Sequence, residues 1–409
     1  MLVHFSTNIT SNASYKEKIM LKARKTRIIH GGRGEGRNIG PVNPPVMRAS
    51  TIIFDSIATW RDARSRRETE RLLSYGARGT ETAFALEELV TELEGGYRAQ
   101  LFPTGLAAIA VTTMSYAHSG GHVLFADSIY EPVRKIASSF LAPNNISYDF
   151  FKTDGSDFEA KLRPETQLVF AESPGSLLYE MLDLPKLCGI AHAHNIPVAV
   201  DNTWGSAWLY NPLELGADIS IIAATKYLSG HSDVMMGIMV ANENAWKKIG
   251  ALPEAMGQIS SPDDVSLVLR GIRTLGTRLA AHGQSAMTVA QWLQNRPEVE
   301  KVYFPGLEDH PRHDLFKRDC KGLNGLLTIE LKSQYTQKNA EAFIDALELF
   351  GIGASWGGFE SLVLPANVKG ARSATDWNQH GQFIRFHIGL EDINDLLADL
   401  TQGLNKLNA

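Results

Sequence analysis

The sequence predicts an α/β fold: a large domain on a mostly parallel sheet, and a smaller α+β domain toward the C-terminal end. Three observations carry that expectation. Short apolar runs, "AQLFPT", "HVLFAD", "QLVFAES", "PVAVDN", "DISIIAA" and "GIMVAN", alternate with stretches of helical periodicity, the pattern of a parallel sheet covered by helices on both faces. The 409 residues exceed what one ordinary core accommodates. Beyond residue 280 strands and helices mix without that alternation, ending in an amphipathic stretch through Leu396, Leu397, Leu400 and Leu404.

Taken in order, residues 1–19 are polar and lack the hydrophobic core of a signal peptide. They are expected to be a mobile extension, with Met20 opening a more natural beginning. Asn8 and Asn12 open N-x-[ST] triplets, which without a secretory signal are chance matches. Residues 26–80 are rich in Gly, Pro and Arg and read as an extended arm, so 1–80 form one unit. Within it "HGGRGEGRNIG" lacks the G-x-G-x-x-G spacing and a preceding strand. "ALEELVTELEGG" sets Leu86, Leu89, Val90 and Leu93 on one helical face and stops at Gly95-Gly96. "LPKLCGIAHAHN" is a second helix, through Leu184, Leu187, Cys188 and Ala191. Val265, Val268, Leu269, Ile272, Leu275 and Leu279 read as one long helix leading to a second domain. The expected divisions are 81–272 for the large domain and 273–409 for the small one.

Composition narrows the function classes. The net charge is −5 with no long basic run, which argues against nucleic acid or an acidic membrane surface as main partner. Cys188 and Cys320 form neither a metal-type cluster nor a disulfide framework, which fits a reducing cytoplasm. No apolar run approaches the roughly 18 residues of a membrane span.

Ligands of open parallel sheets bind beyond the carboxyl ends of the strands, so the residues there are informative. "PVAV" is followed by Asp201, "DISIIAA" by Thr225-Lys226, "QLVFA" by Glu172-Ser173, "HVLFAD" by Ser128 and Tyr130, and "QLFPT" by Gly105 at the start of a helical pattern. A carboxylate ending an apolar strand needs a cation or several donors. Lys226 lies 25 residues after Asp201, room for one helix-and-strand unit, so the two would project at one sheet edge from neighbouring strands. An ion pair between them is one reading. The other is a lysine that burial keeps neutral, below its usual ~10.4, so that it can attack an aldehyde. An aldehyde cofactor with a pyridine ring needs such a lysine and a carboxylate for its ring nitrogen; that cofactor is pyridoxal phosphate. Its phosphate would take the backbone N–H groups of Gly105 and Leu106 at the helix start, with the Thr225 hydroxyl beside the lysine. Tyr130 could lie flat on the ring.

In "QFIRFHIGLED" Ile384, Phe386 and Ile388 face one way, and Phe383, Arg385 and His387 the other. An inward arginine suggests either a substrate carboxylate or an internal salt bridge. His192 and His194 lie about 200° apart around a helix and cannot grip one metal ion. "HPRH" at 310–313 reads as a turn, and no metal is expected.

The ordered set "YGARGT", "LEGG", "LFPTGLAA", "ESPGS", "VDNTW", "ATKYLSGHSD", "RGIRTLGTRL", "FPGLEDHPRH" and "RFHIGLED" resembles the Cys/Met-metabolism family of pyridoxal-phosphate enzymes, from about Thr26 to the end. The resemblance implies the aspartate-aminotransferase-like (fold type I) transferase architecture. It implies Lys226 on the cofactor aldehyde, also acting as acid and base, Asp201 on the pyridine nitrogen, and Tyr130 stacked on the ring and counted with Lys226 as catalytic. Gly105, Leu106 and Thr225 would hold the phosphate, and Tyr75 with Arg78 would reach that of a neighbouring subunit. Ser355, Trp356 and Arg385, with Tyr130, would line the substrate side. It further implies a cytoplasmic homotetramer of two active dimers acting on a small amino-acid thioether. Within the family, "NTWGSAW" and "ASWGGFESL" are most similar to bacterial cystathionine β-lyases of methionine biosynthesis; γ-lyases, γ-synthases and broader cysteine-S-conjugate β-lyases are the alternatives. Two positions depart from the family pattern: Ala77 stands where the phosphate arginine is usual, with Arg78 next to it, and Ala223 stands where serine is common.

Overall fold

The computed structural model describes residues 15–33, 41–67 and 69–408. Asn8, Asn12 and most of "HGGRGEGRNIG" lie outside these, as does the N-terminal extension up to residue 14; its last residues enter a short helix, Tyr15–Met20.

All six apolar runs form strands of one seven-stranded sheet. They are β1 (Arg98–Phe102), β2 (His122–Ala126), β4 (Thr166–Glu172), β5 (Val198–Asp201), β6 (Ile219–Ala223) and β7 (Gly237–Ala241), joined by β3 (Ser147–Phe151). The order is β1-β7-β6-β5-β4-β2-β3. The pairings from β3 through β2, β4 and β5 to β6 are parallel, and β7 runs antiparallel to both its neighbours. β3 escaped the sequence reading for a physical reason. It is an edge strand in which only Phe151 is buried, so "SYDFF" never needed the continuous apolar run of a central strand.

The helix Glu81–Glu94 buries Leu86, Leu89, Val90 and Leu93 and ends where Gly95 turns left-handed at φ 72°; the N–H of Gly96 then returns to the Thr91 carbonyl at 3.0 Å. The periodic stretch from Val265 is not one helix, as its spacing suggested, but two: Pro262–Ile272 and Leu275–Gln294. The break is stabilised by Arg278, whose Nη2 donates to the Gly271 carbonyl at 2.8 Å and whose Nε donates to Thr274 Oγ1 at 3.1 Å. Gly271 is required at the break: a Cβ there would stand 2.1 Å from the carbonyl oxygen of Ser229. The first helix is thereby seated on the turn that follows Lys226.

The second helix joins two hydrophobic cores. Leu275 and Leu279 belong to that of the large sheet, whereas Ala286, Val289, Ala290 and Leu293 belong to that of the small domain. The small domain has a five-stranded sheet, β10-β11-β12-β9-β8, from β8 (Val299–Tyr303), β9 (Leu326–Leu331), β10 (Gly351–Ile352), β11 (Leu362–Pro365) and β12 (Phe383–His387). Along β12 the alternation is as expected: Ile384, Phe386 and Ile388 enter the small-domain core, while Phe383 joins the large one. Arg385 is thereby directed between the domains.

Phe386 is fully buried against Phe343 and Phe350, with ring centroids 6.3 and 5.6 Å away. Phe386→Ala is expected to cost about 3–5 kcal/mol, read as a lowered denaturant midpoint; an unchanged midpoint would contradict this packing.

Candidate active site

The large sheet brings five strand ends to one edge. Asp201 closes β5 and is a neighbour of β6, with Val200 opposite Ser220 and Asp201 opposite Ile221. Lys226 follows β6 in a turn, its N–H bonded to the Ala223 carbonyl at 3.1 Å. Glu172 closes β4 in register with Asp201. Tyr130 follows β2, and the helix Gly105–Tyr116 follows β1.

Lys226 is largely buried, and burial, followed by the nearby charge of Arg385, lowers its amine to about 8. Its Nζ is 2.5 Å from Ser355 Oγ and 5.2 Å from the centroid of the Trp356 ring. Among the described residues no ion pair joins it to Asp201, whose charge acts on it only from farther away and favours the charged amine. The ion-pair alternative is therefore not what the fold builds. The loop carrying Ser355 lies directly on the lysine's backbone. A Cβ at Gly357, where φ is +89°, would come within 2.8 Å of the Tyr227 nitrogen and 2.9 Å of the Lys226 carbonyl carbon. Ser355 itself holds φ 84°, a conformation costly for a residue with a Cβ and one that clusters at functional sites.

Arg385 donates from Nη2 to the Ser355 carbonyl at 3.1 Å. It is largely buried, and its guanidinium is lowered by that burial; the neighbours that oppose the shift are the phenols of Tyr179 and Tyr130. Among the described residues it has no carboxylate partner, so the internal salt bridge is absent. A buried guanidinium without an acid is a ready anion receptor.

Asp201 is buried, with Oδ1 accepting the Thr203 N–H at 2.9 Å. Burial raises its carboxyl above the usual range, opposed by the Thr203 bonds and by Lys226. It too lacks an ion-pair partner among the described residues, and a cation brought beside it would favour the charged form. At the start of the helix Gly105–Tyr116, Thr104 Oγ1 takes the Ala107 N–H at 3.0 Å. The N–H groups of Gly105 and Leu106 enter no hydrogen bond among the described residues and are presented at a helix N-terminus. Gly105 is required because a Cβ would lie 2.7 Å from that of Ala223, at the end of β6. Thr225 is different: its Oγ1 accepts the Met236 N–H at 3.0 Å and lies 3.3 Å from the Met236 carbonyl oxygen. Its hydroxyl therefore also meets the Met236 backbone, just before β7.

Tyr130 is 48% exposed, and its backbone N–H donates to Glu172 Oε2 at 2.6 Å. Burial of the phenol, then Asp201 and Glu172, raise its pKa. A small cavity of about 30 Å³ beside Arg385 is lined by Glu172, Tyr179, Trp204 and Trp356 among others. Tyr179, which carried no signal in the sequence, enters this wall in a left-handed conformation at φ 58°.

Tyr75 and Arg78 are not brought to this group. Arg78 pairs with Glu254 of the same chain, and Tyr75 is half exposed. Arg78 lines a cavity of about 890 Å³ between the arm and the large domain, whose walls contain neither Lys226, Asp201 nor Arg385. That cavity is thus separate from the group formed by Lys226, Asp201 and Arg385. His192 faces Asp218 at 2.9 Å, while His310 and His313 face the carbonyls of Leu178 and Pro305. Among the described residues no group of three His, Cys, Asp or Glu could hold a metal ion.

An amine that burial brings closer to neutrality, a buried carboxylate awaiting a cation, two unused helix-start N–H groups and a buried guanidinium fit pyridoxal phosphate with an amino-acid carboxylate beside it. The comparisons agree. Residues 25–405 match the family model described as Cys/Met metabolism PLP-dependent enzyme. A cystathionine beta-lyase of Bordetella avium is 45% identical over 90% of this chain and 92% of that protein. Cystathionine beta-lyase MetC of Escherichia coli is 37% identical over 94% of this chain and 99% of that protein. The crystal structure of metB from Corynebacterium glutamicum superimposes with a TM-score of 0.86 at 28% identity, over 95% of this chain and 99% of that one.

In the cofactor-free protein, labelling of Lys226 by an amine-selective reagent should rise with pH through a midpoint near 8, since only the neutral amine reacts. Peptide mass spectrometry reads it. A midpoint above 10 would show that burial does not act on this lysine.

Proposed function

The chain belongs to the Cys/Met-metabolism family of pyridoxal-phosphate-dependent enzymes, and from that premise we propose that it is a cystathionine β-lyase. It would cleave L-cystathionine at Cβ–S, releasing homocysteine, pyruvate and ammonia in methionine biosynthesis. The observation that carries the reading is the double anchor at Ser355. Its hydroxyl contacts Lys226 Nζ while its carbonyl holds Arg385, so a proton acceptor and a carboxylate receptor are fixed relative to each other. The identity to β-lyases across nearly the whole chain supports the same choice.

Lys226, Asp201, Tyr130 and the N–H groups of Gly105 and Leu106 would hold the cofactor, with Thr225 close to its phosphate. Bound pyridoxal phosphate supplies an electron sink for the charge left at Cα when its proton departs. Arg385 grips the substrate α-carboxylate and orients the Cα–H bond toward Lys226. Lys226 takes that proton at Nζ and returns one to the leaving sulfur, general base and then general acid in one residue. Ser355 Oγ sets the direction of the amine, and the Trp356 ring keeps water from it. Asp201 holds a proton on the ring nitrogen. We assign Tyr75 and Arg78 to the phosphate of a neighbouring copy, in a homotetramer of two active dimers. For this Arg78 must leave Glu254, and with Ala77 at the usual arginine position the phosphate has one cation to draw on. No described helix is long and apolar enough to cross a membrane; the cytoplasm is the proposed setting.

Purified protein with added pyridoxal phosphate should release pyruvate and homocysteine from L-cystathionine. 2-Oxobutyrate with cysteine would reassign it to Cγ–S cleavage and withdraw the weight placed on "NTWGSAW" and "ASWGGFESL". Lys226→Ala should lower turnover by roughly 10²–10⁴-fold or more, with the fold intact by circular dichroism; comparable activity would remove Lys226 from the mechanism.

A further inference from the structure

Glu172 stands at the centre of the strand ends, yet the mechanism above gives it no task. It closes β4 in register with Asp201 on β5. Residues in register on parallel neighbours project to the same face, so two carboxyl groups stand side by side at the edge that carries Lys226. The segment bearing Tyr130 is stitched to this strand end three times. The Tyr130 N–H donates to Glu172 Oε2 at 2.6 Å, Ser128 Oγ donates to the Glu172 carbonyl at 3.2 Å, and the Ser176 N–H donates to the Ser128 carbonyl at 2.8 Å. Tyr130 precedes the short helix Glu131–Ile136, so its N–H has no acceptor within that helix. With the residue 48% exposed, packing alone does not set the direction of its ring.

We propose that Glu172 is a positioning residue that acts through Tyr130: its neutral carboxyl pins the Tyr130 backbone and so sets the ring against the cofactor, leaving Asp201 as the one charged carboxyl of the pair. The neutrality has a physical origin. Two adjacent carboxyl groups cannot both ionise cheaply. Thr203 and Lys226 favour the charged form of Asp201. Burial and then the Asp201 charge hold Glu172 well above the usual carboxylate range. The Tyr130 N–H opposes this, and Arg372, the cation that also does so, is itself bound to Glu180 at 2.8 Å. The inference rests on the cofactor reading above but not on which thioether is cleaved.

The test uses the cofactor-loaded protein and reads the visible absorbance of bound pyridoxal phosphate, its dissociation constant, and pyruvate release. Glu172→Gln keeps an acceptor oxygen without a charge and should stay within about threefold of the parent on each readout. Glu172→Ala should shift the band, weaken cofactor binding and lower kcat about tenfold or more, with little change in KM. In a Tyr130→Ala background Glu172→Ala should add little further loss, because both act through one ring. A Gln variant as impaired as the Ala variant would show that the charge matters and would overturn the proposal, and so would additive losses in the double variant. Should Glu172→Ala fail to fold, the Gln variant decides alone: near-parental behaviour supports the proposal and impairment overturns it. A bound-cofactor band perturbed by Glu172→Ala in a protein that never releases pyruvate would sink the lyase reading and sustain this one.

Discussion

The contact between Lys226 and Ser355 is the one on which the site depends, because it is where the two domains meet. Lys226 hangs from a turn of the large sheet, and Ser355 comes from the small domain. Neither group is placed by its own domain alone. The lysine backbone is covered by Gly357, and the turn beyond it is braced by Gly271 of the helix that precedes the domain junction. Both glycines are points where any side chain would push main chains apart. The left-handed Ser355 is then held by contacts on either side, its hydroxyl on the amine and its carbonyl on Arg385. Strain of this kind persists only where the surroundings over-determine it.

A second contact zone keeps the same relation between the domains. The Arg372 guanidinium, with a fully buried side chain, binds Glu180 through Nε and Nη2 and also donates to the Ser176 carbonyl at 2.6 Å. Thr328 Oγ1 reaches the Leu177 carbonyl at 2.6 Å, and Asp127 accepts N–H groups from Ser373 and Ala374. The segment 175–180 of the large domain is thus laced to the small one along the wall beside Arg385. A bidentate buried pair of this sort is costly to desolvate and gains its value from fixing geometry.

The electrostatics of the site are those of groups kept apart. Elsewhere in the fold Arg and Asp or Glu meet directly, as in Arg134 with Asp127 at 2.6 Å. At the strand ends Lys226, Arg385, Asp201 and Glu172 lie close enough to shift one another's protonation, yet no ion pair joins them among the described residues. Their mutual neutralisation would leave nothing for a bound molecule to satisfy. On the proposed reading the arrangement leaves a carboxylate for a ring cation, a guanidinium for a carboxylate and an amine of lowered pKa for an aldehyde.

Much of this was legible in the linear chain. A central strand buried on both faces must be apolar throughout, so β2 and β4 to β7 announced themselves, as did edge strand β1 through its buried Ala99, Leu101 and Phe102, and polar residues at or just beyond the strand ends, Asp201 and Lys226, marked the chemical edge. The alternation around Arg385 gave its direction for the same reason. What escaped was whatever the apolar pattern of the linear chain does not display. β3 lies at an edge, where burial imposes no pattern. The helix break at Arg273–Thr274 is stabilised by a side chain one turn later. The contact of the Thr225 hydroxyl with the Met236 backbone carried no signal in the sequence. Glu172 reads as a strand end like any other until the parallel register sets it beside Asp201 and under Tyr130. The sequence by itself determined which residue types stand at which strand ends, because hydrophobic burial is local in its pattern. Only the tertiary structure decided which of those groups touch, and therefore how their charges are shifted, because desolvation and hydrogen bonding depend on neighbours the fold brings in, Tyr130 to Glu172 from 42 residues away and Ser355 to Lys226 from 129.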